Sequence, residues 1–194
     1  MDAAVLAAQA RWPNVPAVFG WLRLDRRGRW LLRDELLTHP AMVAFIGRNY
    51  ASDPEGRWYF QNGPQKVYVR LDYTPWIVQL TDGQLVRHTG QPVGQAQQAW
   101  LDEEGSLLIG FGGEVGLVCD RDLPALLERM SGPLSDGPLR GAEALERFLG
   151  DPAYPLTLDL PGGPVPINRI LTKNVATTLG FQADPCETPG QPRP

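Results

Sequence analysis

Histidine is nearly missing from this 194-residue sequence, and the two that occur, His39 and His88, stand far apart. Neither has a His or Cys neighbour at the short spacings that pre-assemble a zinc site, so no metal site and no cofactor are expected. Lysine is equally scarce. Lys66 and Lys173 both lack the Gly-rich loop and following Ser or Thr of a Walker-type phosphate site, which excludes that class of nucleotide triphosphatase. Of four serines, none sits in Gly-x-Ser-x-Gly. Of two cysteines, Cys119 ends the apolar run Gly116-Leu-Val-Cys119 and Cys186 lies in a Pro-rich stretch, which suits a buried inert thiol and an exposed idle one better than a disulfide. Long apolar runs are lacking too: nothing approaches the roughly 18 residues of a spanning helix. Asp2 stands where a secretory signal carries positive charge. Asn-x-Ser/Thr does not occur. Together these point to a cytoplasmic protein. With 18 basic against 22 acidic residues the net charge is −4, so no excess of cations attracts a phosphate backbone or anionic lipid, and neither nucleic acid nor membrane is an expected partner.

Glycine and proline are plentiful, 21 and 19, which predicts many turns and short elements around an apolar complement of 43%. Asp25-Arg-Arg-Gly28, Asp53-Pro-Glu-Gly56 and Asp102-Glu-Glu-Gly105 share one spacing, and Arg29-Trp30 and Arg57-Trp58 follow the first two. An Asp favours a local side-chain turn and the Gly accepts positive φ, so each marks a hairpin; Asp82-Gly83 marks a tighter one. The fold class expected is α+β, mainly antiparallel sheet built from Asp-x-x-Gly hairpins with short covering helices. A repeated hairpin-helix unit would explain the spacing; the alternative is that Asp-x-x-Gly is simply common at turns.

Helices are expected over 2–10, from an N-cap at Thr38 to Arg48, over 123–130 on the stripe Leu123, Leu126, Leu127 and Met130, and around Ala142, Leu145, Phe148 and Leu149. The residues from 131 to 141 read as a connection. Residues 155–160 and 165–167 suggest a hairpin in which Pro166 faces an edge, and Asn168 would cap a last helix reaching Leu179 with Gly180 beyond it. The six tryptophans read mainly as packing residues. These elements give an N-terminal helix and linker over 1–16, a main α+β domain over 17–131, a helix-hairpin-helix extension over 142–183, and a Pro-rich tail over 184–194.

Gly110-Phe-Gly-Gly-Glu-Val-Gly116 has Gly at the first and third positions of a dinucleotide loop but Val115 at the sixth, and its flanks suggest another hairpin. The richest polar stretch runs from Arg48 to Asp72. Val67, Val69 and Leu71 alternate with Lys66, Tyr68, Arg70 and Asp72, so one strand face is apolar and the other cationic and aromatic. With Arg48, Asn49, Tyr50, Gln61 and Asn62, the residues Lys66, Tyr68 and Arg70 form a candidate site for a small anionic or aromatic ligand. An ordinary solvated strand face has the same pattern.

Trp12-Pro-Asn-Val-Pro16, Gly20-Trp-Leu-Arg-Leu-Asp25, Phe45-Ile-Gly-Arg-Asn-Tyr50 and Gly56-Arg-Trp-Tyr-Phe-Gln-Asn-Gly-Pro-Gln65 resemble a proteobacterial family of unknown function of about this length, over residues 12–130 or more. The order of hairpin, helix, hairpin and Lys66-Val67 strand is distantly similar to a second uncharacterised family, built from repeated strand and helix units and suggested to act in signalling. Neither resemblance implies catalytic residues. The expected function is therefore a cytoplasmic ligand-binding or regulatory module without catalytic activity. The alternatives are a protein-interaction module or homo-oligomer, and a hydrolase or transferase in which Asp72, Glu103 or Asp120 converge.

Overall fold

The computed structural model describes residues 1–187; positions 188–194 of the expected tail lie outside the described residues. The chain is mixed α+β, with two mostly antiparallel sheets and a few short helices, and divides into two compact units. One comprises residues 1–75 and the segment from Ala176 onward, the other Trp76–Val175.

The first unit contains α1 (Ala3–Arg11), β1 (Val18–Leu24), β2 (Trp30–Leu32), β3 (Glu35–Leu36), α2 (Pro40–Arg48), β4 (Tyr50–Ser52), β5 (Trp58–Asn62) and β6 (Gln65–Leu71). Its six strands are ordered β3-β2-β1-β6-β5-β4, and every pair is antiparallel except β1 with β6. Leu22, Leu24, Trp30, Ile46, Trp58, Phe60, Val69 and Leu71 are buried here. Each such side chain contributes ~1.5–3 kcal/mol of transfer free energy.

The second unit contains β7 (Trp76–Thr81), β8 (Gln84–Arg87), β9 (Ala96–Leu101), β10 (Leu107–Phe111), β11 (Glu114–Val118), α3 (Leu123–Leu127), β12 (Met130–Gly132), β13 (Leu139–Arg140), α4 (Gly141–Gly150), β14 (Leu156–Leu160) and β15 (Gly163–Arg169). The strand order is β13-β12-β14-β15-β9-β10-β11-β7-β8. A last short helix, α5 (Val175–Thr178), precedes the segment that rejoins the first unit, where the Gln182 N–H donates to the Gly56 carbonyl and the Leu71 N–H to the Ala183 carbonyl.

The three Asp-x-x-Gly turns are the same object. In each, the Gly N–H donates to the Asp carbonyl: Gly28 to Asp25 and Gly56 to Asp53 at 3.0 Å, Gly105 to Asp102 at 3.1 Å. In each, one carboxylate oxygen accepts the backbone N–H groups two and four residues on. The Gly φ values are +79°, +75° and +83°, a region closed to most side chains. In the first two turns the Arg at the fourth position after the Asp returns Nε to the second carboxylate oxygen, at 2.7 and 2.8 Å. The turns lead into different elements: the first into β2, β3 and α2, the second into β5 and β6, the third into β10 and β11.

Several local expectations are corrected. The residue before α2 is His39 rather than Thr38, with Pro40 inside the first turn. The helix over 123–130 stops at Leu127, because Met130 is buried as the first residue of β12 rather than as the next step of a stripe. The connection over 131–141 therefore holds two short strands. In α4 it is Ala144 and Phe148 that are buried, while Ala142 and Leu149 face outward. β15 is an interior strand; Pro166 is tolerated because pairing to β9 begins one residue later, at Ile167 with Ala99. Asn168 belongs to that strand and caps nothing. Trp12 and Trp21 are 49% and 46% exposed, so they are not packing residues like Trp30, Trp58 and Trp76.

Candidate functional site

The eight residues singled out in the sequence occupy five different settings. The Arg48 guanidinium lies 3.2 Å from the Asp2 carboxylate, and Asn49, fully buried, accepts the Asp2 N–H on Oδ1 and donates to the Phe45 carbonyl, so both fasten the start of α1. Tyr50 is a core residue whose hydroxyl donates to the Pro75 carbonyl. Gln61, Lys66 and Tyr68 share one face of the β5–β6 pair, while alternation sends Asn62 to the other face. Arg70 stands near Asp34, at 3.7 Å.

On the face of Gln61, Lys66 and Tyr68 the polar groups largely satisfy one another. The Tyr68 ring stacks on Phe19 with centroids 4.5 Å apart, and its hydroxyl donates to Asp53 Oδ2 at 2.9 Å. Burial and that bond push the Tyr68 hydroxyl pKa up to about 12. Burial alone would raise the Asp53 carboxyl; the Arg57 backbone N–H, the Arg57 guanidinium and the Tyr68 hydroxyl outweigh it and hold the carboxyl below its ordinary range. The Lys66 ammonium rests 4.5 Å above the Tyr59 ring. Gln61 donates to the Gly63 carbonyl, and its Oε1, although buried, has no partner among the described residues.

The concave site lies on the opposite face of this sheet. It is a cavity of about 560 Å³ between the strands and α2, within the range of roughly 300–1,000 Å³ usual for small-molecule pockets. Its floor is four adjacent strands: Phe60 and Asn62 from β5, Gln65 and Val67 from β6, Val18, Trp21 and Leu22 from β1, Leu32 from β2. Leu37 and the α2 residues Met42, Phe45 and Ile46 close it from above. Three inter-strand gaps of ~4.8 Å make the floor about 14 Å across.

The cavity lies where α2 does not pack tightly against the sheet. A nine-residue helix is ~13.5 Å long and presents one apolar stripe. Ile46 is buried, yet Met42 stays 48% exposed. β1 adds to the hollow: its register against β6 shifts between Val18 and Leu22, with Gly20 at φ +73°, and such a bulge bends the strand. Among the described residues, none of those lining the cavity is charged; the polar ones are Asn62 and Gln65, paired across the β5–β6 turn. The sequence signal for this site is an apolar helix, with Met42, Phe45 and Ile46, whose apolar surface is only partly buried.

The carboxylates of the enzyme alternative have separate engagements. Asp72 lies 3.5 Å from Arg23 in the first unit. In the second, Glu103 accepts the Thr172 N–H and Asp120 accepts the Arg121 N–H. Cys119, buried, has its thiol pKa raised by burial, and Cys186 is exposed; both are free. Among the described residues no three His, Cys, Asp or Glu side chains gather to hold a metal, and no helix is long and apolar enough to cross a membrane.

A family model, DUF2944, described as "Protein of unknown function (DUF2946)", matches residues 1–186. The chain belongs to this family. The expectation of an uncharacterised family over 12–130 or more is thus met across nearly the whole DUF2944 chain. No curated protein matches it. Among solved structures, it is similar to a DUF1285 family protein from Silicibacter pomeroyi DSS-3, at 20% identity and a TM-score of 0.50, covering 76% of this chain and all of that one. A DUF1285 family protein from Shewanella baltica OS155 matches at 14% identity and a TM-score of 0.40, covering 53% of this chain and 86% of that one. At these identities the likeness of the Silicibacter protein is one of fold.

Proposed function

We propose that the first unit of this DUF2944 protein is a small-molecule-binding module of regulatory rather than catalytic type, and that its ligand occupies the cavity under α2. The observation that supports this reading is the cavity itself. It has ligand-sized volume, a floor of aliphatic and aromatic side chains, and one pair of carboxamides. A hollow left empty forfeits the dispersion contacts that a packed core has, so an apolar guest gains both those contacts and the release of its hydration. The exposed Leu32 and Met42 stand where such a guest would cover them.

The test is binding of N-phenyl-1-naphthylamine, a neutral dye that brightens in apolar surroundings. One dye per chain is expected, with M42E and L32E each weakening it about tenfold or more, since each sets a carboxylate against the apolar guest. Both positions are half-exposed, so the fold tolerates the change. No brightening, or equal brightening in both variants, contradicts the reading. A second copy of the chain is the other candidate occupant of the apolar mouth; dye binding that weakens as protein concentration rises would favour it.

A further inference from the structure

Resting on that reading, we infer that the cavity selects a neutral amphiphile whose head group is a carboxamide or another N–H-bearing carbonyl, and discriminates against the matching carboxylate. The inference comes from the Asn62 and Gln65 side chains. These are cross-strand partners on β5 and β6, and they supply the polar end of an otherwise apolar lining. Gln65 Nε2 donates to the Pro16 carbonyl at 3.0 Å. A carbonyl only accepts, so the amide nitrogen must face Pro16, which leaves Oε1 and the second N–H of Nε2 for a ligand. The Asn62 carboxamide is exposed at the cavity edge and can turn either end toward a guest.

The remaining acceptor and donor on Gln65, with the adaptable amide on Asn62, match a head group that has both an N–H and a C=O. A carboxylate offers acceptors alone: it has no donor for Gln65 Oε1 and finds no cation among the lining residues. Removing such a charge from water without a partner is costly. Two nearby cations of this unit are engaged on aromatic rings, with Lys66 over Tyr59 and Arg33 flat on the Trp21 ring at 3.7 Å. The apolar tail would run from the β5–β6 turn beneath α2 toward Leu32, along the ~14 Å floor.

Competition against the bound dye separates the possibilities. Octanamide and octanoate, compared at neutral pH on the full chain, are expected to differ about tenfold or more in favour of the amide. N62L and Q65L should each shrink that ratio toward one. Octanoate competing as well as octanamide, or a ratio indifferent to both substitutions, overturns the inference while leaving the pocket in place. Failure of the dye to bind at all removes the pocket and the inference together.

Discussion

Gly56→Ala destabilises the protein by about 3 kcal/mol in chemical unfolding, whereas Gly105→Ala, at the same place in the same turn, costs about 1 kcal/mol. Both glycines have φ near +80°, where a Cβ is strained whatever surrounds it. The difference lies in what the added carbon would meet. At Gly105 there is open space; at Gly56 a Cβ would stand 2.6 Å from the Gly180 carbonyl oxygen and 3.1 Å from the Phe181 Cα. Both obstacles are backbone, on the segment that returns to the first unit through the Gln182-to-Gly56 hydrogen bond, so relief would require that bond to open. Equal costs at the two positions would mean that the returning segment does not lie against the turn.

Asp53→Ala is the second large effect, at about 3 kcal/mol near neutral pH. The Asp53 side chain is 4% exposed and accepts the Glu55 and Arg57 backbone N–H groups, the Arg57 guanidinium and the Tyr68 hydroxyl. Removing it leaves those donors facing a hole. The effect carries a pH signature. The folded carboxyl titrates below its ordinary value of 3.8, so its contribution is fully present above about pH 4 and is lost as pH falls through the lower folded value. Urea midpoints of wild type and D53A should therefore converge on acidification. A gap that stays constant down to strong acid would show that the carboxylate charge is not what stabilises the turn.

The hairpins were legible because their information is local. Asp at one position and Gly three later, with Arg next, determine a hydrogen-bond pattern that the chain makes with its own neighbours. The same holds for Asp82-Gly83, at φ +50° and +78°, and for Gly112-Gly113 between β10 and β11. Alternation along β6 also placed Val67, Val69 and Leu71 on one face. Where a residue's neighbours come from elsewhere in the chain, the local signal misleads. Met130 keeps helical spacing with Leu123 and Leu126 but is buried by pairing with Leu158. Asn168 looks like a cap but continues a strand against Trp100.

The cavity was legible in small part for the same reason. A dense run of polar and aromatic residues marks Arg48 through Arg70, and its members partner Asp2, Phe45 and one another, as Tyr68 does Asp53. A binding surface instead shows as what remains unsatisfied: a helix with apolar surface to spare, a bulged strand and an exposed carboxamide. Of the eight residues, Asn62 is the one that lines the cavity; Gln65, three positions on, is its companion.

The most direct test of the account is a methyl-resolved NMR spectrum with and without saturating N-phenyl-1-naphthylamine. Shifts are predicted at Val18, Leu32, Leu37, Met42 and Val67, with Leu108, Ile109 and Leu158 of the second unit unmoved. Shifts confined to the second unit, or none anywhere at saturation, would contradict it.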